Sequence, residues 1–155
     1  MTGERCLWSE KSVAITAESG IIISESGKMA EFILLGKLNT QPLEIEFGKI
    51  KTNSIIITNE RIGHIQERHP KDFTLFEQFG VLAVENPDII LKDTKNENTV
   101  FMIKKLANIN INVVVKLILI TDHEDYLNSV MTFYRIRDKN LIKLEKKNKI
   151  LYKKE

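Results

Sequence analysis

Cysteine is almost absent from the sequence: Cys6 is the one example in 155 residues. That excludes an intramolecular disulfide framework and any metal site built on a cysteine cluster. No apolar run approaches the roughly 18 to 20 residues needed to cross a bilayer. The opening stretch, Met1 to Ser9, lacks the basic-then-apolar layout of a secretory signal. A reduced, cytoplasmic setting is therefore expected, although a secreted toxin domain without disulfides fits the same cysteine usage. There are no repeats, no low-complexity segments, no glycine-rich phosphate loop and no dinucleotide fingerprint. Of the three histidines, His64 and His69 miss the i, i+4 spacing of helical zinc ligands, and His123 falls in a polar loop. Neither a metal nor another cofactor is expected.

Charge of one sign is also lacking overall, with a net of +2, but its distribution is uneven. From Arg135 to the C-terminus nine basic residues face three acids, which leaves the body before them mildly acidic. A basic tail on such a body suits a polyanionic partner. A solvated helix face accounts for it equally well. The length and the 43% hydrophobic content suit one globular domain with a real core.

Residues 1–31 read as an N-terminal extension in which only Ile21-Ile22-Ile23 suggests a strand, and residues 32–155 as the folded domain. Phe32 to Leu35 and Leu43 to Phe47 read as short strands, with Gly36, Pro42 and Gly48 at the turns. After the β-branched run Ile55-Ile56-Ile57, Thr58 is a natural helix N-cap and Glu60 sits in the first turn. That helix is expected to run to His69, because Pro70 disfavours helical geometry in the residue before it. A second helix is expected over Phe73 to Glu85, ended by Asn86-Pro87. Four strands follow: Asp88 to Leu91, Thr99 to Leu106, Asn112 to Thr121 and Ser129 to Ile136. Leu141 to Tyr152 closes the chain as a basic helix or strand. The order predicts an α+β fold with N-terminal helices packed on a four-stranded antiparallel sheet.

Residues three and four apart share a helix face. Ile62, Ile65 and His69 form one stripe, and Arg61, His64 and Arg68 the next. A histidine between two guanidinium groups suits phosphodiester binding and proton transfer, and Glu67 is placed to orient a histidine or pair with an arginine. An ordinary ion-paired surface helix explains the same pattern. In Asn112 to Ile120, Val113, Val115, Leu117 and Leu119 make an apolar face, so Lys116 points the other way between Val114 and Ile118. A mid-strand lysine with apolar neighbours suits contact with phosphate; an edge lysine that discourages aggregation is the competing explanation. Strict alternation in the last strand puts Val130, Thr132 and Tyr134 on one face and Ser129, Met131, Phe133 and Arg135 on the other. Lys104 and Lys105 face opposite sides of their strand, so at most one of them can join Lys116.

The segments IIITNERIGHIQERHP, ENPDIILKDTKNENTVFMIKK, NINVVVKLIL and NSVMTFYRI, in that order, resemble the phage and mobile-element nucleases grouped with barnase, EndoU, the tRNA-cleaving colicins and RelE. The resemblance runs from about Phe32 to the C-terminus. It implies a two-layer α+β fold with the site on the sheet face away from the helices. It also implies metal-independent RNA cleavage, in which a 2′-hydroxyl attacks its own phosphate and leaves a 2′,3′-cyclic phosphate. The matching positions are His64, Glu67, Arg68 and His69, then Lys116, then Ser129 and Thr132.

The resulting expectation is an endoribonuclease toxin or effector of a mobile element, acting on RNA, with tRNA a candidate. His64, Arg68, Lys116, Ser129 and Thr132 are expected to be catalytic; Arg61, Glu67, His69, Tyr134 and Arg135 are expected to bind substrate. An immunity, antitoxin or host protein is the expected protein partner. The competing reading keeps the fold without the chemistry: a nucleic-acid- or protein-binding module that inhibits a host system.

Overall fold

The computed structural model describes residues 19–23, 29–122 and 127–155. Strand β1 (Ser19–Ile23) is followed by β2 (Met29–Lys37), helix α1 (Gln41–Phe47) and strand β3 (Ser54–Thr58). Helices α2 (Asn59–Arg68) and α3 (Pro70–Glu85) come next. Then β4 (Ile89–Lys92), β5 (Thr99–Lys105), β6 (Asn110–Lys116) and β7 (Asn128–Ile136) run in sequence, and α4 (Asp138–Lys147) and β8 (Lys149–Lys153) complete the chain.

The architecture is α+β, but the expected four-stranded antiparallel sheet is wrong. Among the described residues the strands form one eight-stranded sheet in the order β1-β2-β3-β7-β6-β5-β4-β8. It is mixed, because β3 pairs with β7 in parallel, at Ile55↔Asn128 and Ile56↔Ser129. Nor are the helices N-terminal to the sheet: α1 lies between β2 and β3, and α4 between β7 and β8. The physical reason lies in Ile55-Ile56-Ile57, all three at most 1% exposed. A run buried on both sides is the mark of a central strand with covered faces, not of a lead-in to a helix. The parallel β3–β7 pair needs a long crossover, and the α2–α3 hairpin with the β4–β6 meander supplies it.

Leu43 to Phe47 is also corrected, from strand to helix. Leu-Glu-Ile-Glu-Phe alternates as a strand would, yet Leu43 is fully buried while Ile45 is 88% exposed. A helix separates those two side chains, and Pro42 sits in its first turn, where a missing N–H costs nothing. At the C-terminus both readings hold in succession, a helix and then a strand. β2 begins at Met29, so the sheet extends to both sides of the boundary drawn at residue 31.

Local signals set the helix limits. The Thr58 side chain accepts from Arg61 N at 3.2 Å and caps α2. His69 ends α2, and Pro70 starts α3 with its fixed φ. Two apolar layers then cover the sheet. On the first face Leu35, Ile55, Ile57, Val113 and Phe133 pack against Leu43 of α1, Ile62 and Ile65 of α2, and Phe73 and Phe76 of α3. The Phe76 and Phe133 rings are 4.8 Å apart between centroids. On the second face Leu91, Phe101, Ile103, Val114 and Ile136 pack against Leu141 of α4. Among the described residues no helix is long and apolar enough to cross a membrane.

Candidate active site

The candidate site is set by the register of β6 and β7. Val113 pairs with Phe133 and Val115 with Val130, and all four lie in the core under α2 and α3. Their neighbours therefore face the other way: Val114 opposite Thr132, and Lys116 opposite Ser129. Two residues of β6, Val114 and Val115, thus oppose three residues of β7, from Thr132 back to Val130, and Met131 is the extra residue of a β-bulge. Strict alternation had put Ser129 and Thr132 on opposite faces. The bulge inverts the phase between them, so both share the second face with Lys116, and Val130 turns into the core instead. Directly opposed side chains in such a ladder have Cβ atoms about 4.5–5.5 Å apart. Lys116, Ser129 and Thr132 are all half-buried. Ser129 Oγ also lies 3.9 Å from Met131 Sδ.

One step along the same face, Asn112 pairs with Tyr134. Asn112 is fully buried, and its Nδ2 donates to the Tyr134 hydroxyl at 3.0 Å. Burial raises the Tyr134 phenol above its ordinary value of 10.0; the hydrogen bond from Asn112 opposes the rise, and the Asp93 carboxylate adds to it. Tyr134 is accordingly a neutral phenol at physiological pH, able to donate.

A second polar group joins the helix layer to β7. Asp72, in the first turn of α3, is 7% exposed and makes an ion pair with Arg135 Nε. Its Oδ2 accepts from the Arg135 backbone N at 3.3 Å and lies 3.8 Å from His69 Nδ1. The latter distance is too long for a hydrogen bond and fits an ion pair when the imidazole is charged. The His69 ring stands 6.5 Å from that of Tyr134, centroid to centroid. Among the described residues His69, at the α2–α3 junction, is thus the histidine that reaches β7.

The other expected residues separate into groups. Arg61 is half-buried, and His64, Glu67 and Arg68 are exposed on α2. Among the described residues none of the four side chains makes a hydrogen bond or ion pair, either with each other or with the Lys116 group. Arg135 lies on the helix-covered face, opposite Ile111, and is held by Asp72. Lys104 is tied to Asn86 O at 3.0 Å and Asp88 Oδ1 at 3.5 Å, away from the site. Cys6 and His123 lie outside the described residues. Among the described residues no three His, Cys, Asp or Glu side chains gather as metal ligands do.

Sequence reasoning missed Asn112 and Asp72. The signal for Asn112 was the alternation Asn112, Val114, Lys116, which puts two polar side chains on one face of a buried strand. The signal for Asp72 was an acid in the first turn of a helix, ordinarily a dipole partner at the surface; only the fold shows it buried under Arg135. Compared with known protein families, with curated proteins and with solved structures, the chain gives no match.

Proposed function

We propose that the chain is a metal-independent endoribonuclease of the toxin or effector type. The observation that supports this most is the β7 bulge, which gathers a lysine and two hydroxyls on one face of β6 and β7 beside a neutral tyrosine. One cation with several hydroxyl donors, half-buried, suits the charge that develops on a phosphodiester under attack. Lys116 pairs with a non-bridging oxygen, and Ser129, Thr132 and Tyr134 donate hydrogen bonds to it. His69, whose ring stands 6.5 Å from that of Tyr134, acts as the general base, since histidine is the residue type suited to proton exchange. The 2′-oxygen bonds to phosphorus as its proton passes to the imidazole. The P–O5′ bond breaks, and the leaving oxygen takes a proton from water. The products are a 2′,3′-cyclic phosphate and a 5′-hydroxyl. His64, Arg61 and Arg68 serve the flanking phosphates in this reading, and the protein acts in the cytoplasm, with tRNA among its substrates. A toxin of this kind also calls for an inhibitor protein as its partner.

One observation favours the non-catalytic alternative, an RNA- or protein-binding module of a phage or mobile element. The 3.8 Å between His69 and Asp72 is longer than the contact that fixes a catalytic imidazole. The two readings part on incubation with tRNA and total cellular RNA in EDTA. The nuclease yields fragments with cyclic phosphate ends, whereas the module retains RNA intact at long times.

A further inference from the structure

Helix α4 packs on the second face of the sheet through Leu141, against the cluster that contains Val114, with Met131, Tyr134 and Leu144 at its margin. It therefore lies on the same side of the sheet as Lys116, Ser129 and Thr132. Lys139, Lys143 and Lys146 are spaced four and three apart, so they share the helix face turned away from Leu141 and Leu144. Lys147 and Arg137 flank them, and all five side chains are exposed.

A solvated helix normally interleaves acids with its lysines at i, i+4 spacing. The two acids of α4 are committed elsewhere. Asp138 accepts from Asn110 Nδ2 at 2.7 Å, and Glu145 accepts from Lys153 Nζ at 2.9 Å. Among the described residues Lys139, Lys143, Lys146, Lys147 and Arg137 have no acidic partner. Lys139 and Lys143 repel at i, i+4, and so do Lys143 and Lys147. By contrast, Lys92 and Lys149 share one carboxylate, both binding Glu46, at 2.7 and 2.6 Å. The α4 stripe is thus a charge imbalance that an anionic partner relieves.

We propose that α4 is a docking helix for the RNA phosphate backbone, with Lys139, Lys143 and Lys146 engaging the strand that enters the Lys116–Ser129–Thr132 site. This rests on the RNA reading above, and a binding assay separates the two. The probe is a fluorescent 2′-O-methyl oligonucleotide, which lacks the attacking hydroxyl, titrated by anisotropy over a series of salt concentrations. Each single-strand phosphate contact contributes about −0.7 to the slope of log K against log salt. Lys139→Gln/Lys143→Gln/Lys146→Gln is expected to reduce the slope by about 2 and to weaken binding at 0.1 M salt by roughly 100-fold. Its melting temperature stays at or above that of the unaltered protein, because like-charge repulsion is removed. Lys37→Gln/Lys49→Gln/Lys71→Gln removes the same charge elsewhere and is expected to leave the slope nearly unchanged.

Equal losses from the two triple variants overturn the proposal, as does an unaltered protein that does not bind the oligonucleotide. Tighter binding to phosphatidylserine vesicles than to the oligonucleotide also overturns it, in favour of a lipid surface. Salt-dependent binding through α4 without RNA cleavage leaves the docking helix standing and removes the nuclease reading. Cleavage with unaltered affinity in the α4 variant does the reverse.

Discussion

Asn112 of β6 donates from Nδ2 to the Tyr134 hydroxyl of β7 at 3.0 Å, while its own Oδ1, fully buried, has no partner among the described residues. An amide that donates to a phenol oxygen leaves the phenol hydrogen free for another acceptor. Tyr134 therefore presents a donor on the face that carries Lys116, and an acceptor that is hard to satisfy is kept in the sheet to achieve it. Buried unpaired acceptors cost about 1–3 kcal/mol each, so such a group marks a place where stability yields to something else.

The tyrosine is open to direct titration. The chain has three tyrosines, so in a Tyr126→Phe/Tyr152→Phe background the ultraviolet absorbance of tyrosinate reports Tyr134 alone. Its midpoint is expected above 10.0, because burial disfavours the phenolate. Asn112→Leu removes the hydrogen bond that opposes this and moves the midpoint further up. An acid whose folded value is raised contributes stability below the unfolded value, near 10, and loses it as pH rises through the folded value. Unfolding free energy should accordingly fall on the alkaline side in the protein that retains Tyr134, and less so in Tyr134→Phe. A midpoint at or below 10.0 contradicts this account of the face.

Asp72 holds Arg135 and faces His69, so Asp72→Asn weakens the junction between α3 and β7. The expected loss is about 1.5–3 kcal/mol, the range for hydrogen bonds to charged groups, read as a lower urea midpoint with an unchanged slope. Arg135→Ala, which leaves the buried carboxylate without its cation, is expected to cost at least as much. Stability unchanged in both variants removes Asp72 as the link between the helix layer and β7.

Glu46 of α1 binds Lys149 of β8 and Lys92 of β4, and these two lysines lower its carboxyl from 4.5 to about 2. A depressed carboxyl contributes stability above its unfolded value and loses it as pH falls through the folded one. The contribution is therefore present above about pH 4.5 and disappears towards pH 2. Glu46→Gln should flatten the stability profile in that window while leaving the alkaline side unchanged. Parallel profiles for the two proteins between pH 5 and pH 2 would falsify the clasp.

Much of this was legible in the residues, and the failures have physical causes. Thr58, Pro70 and Asn86-Pro87 mark the helix limits because capping and proline geometry are local. The faces of β6 follow from alternation, since no bulge falls within Asn110 to Val114. The phase of β7 was not legible, because Met131 is one extra residue whose effect appears only when β7 is laid against β6. The sheet order was hidden for a similar reason: Ile55 to Ile57 and Lys149 to Lys153 pair with strands far away in sequence. In Leu43 to Phe47 five alternating residues fit a strand and a helix alike. His69 read as a core-facing member of the Ile62–Ile65 stripe, and only its position at the α2–α3 junction brings it beside Tyr134.

Lys116, Ser129 and Thr132 are the proposed phosphate site for RNA cleavage. It is tested most directly by counting 2′,3′-cyclic phosphate ends released from tRNA and total RNA in EDTA. The unaltered protein is expected to produce them. Lys116→Ala and His69→Ala are each expected to reduce the rate at saturating RNA by roughly 100-fold or more, whereas His64→Ala changes mainly the concentration of RNA needed. Thr132→Val, nearly the same size, is expected to fold normally and lose activity in the same direction. No cyclic ends from the unaltered protein, or an undiminished rate in Lys116→Ala, would contradict the account.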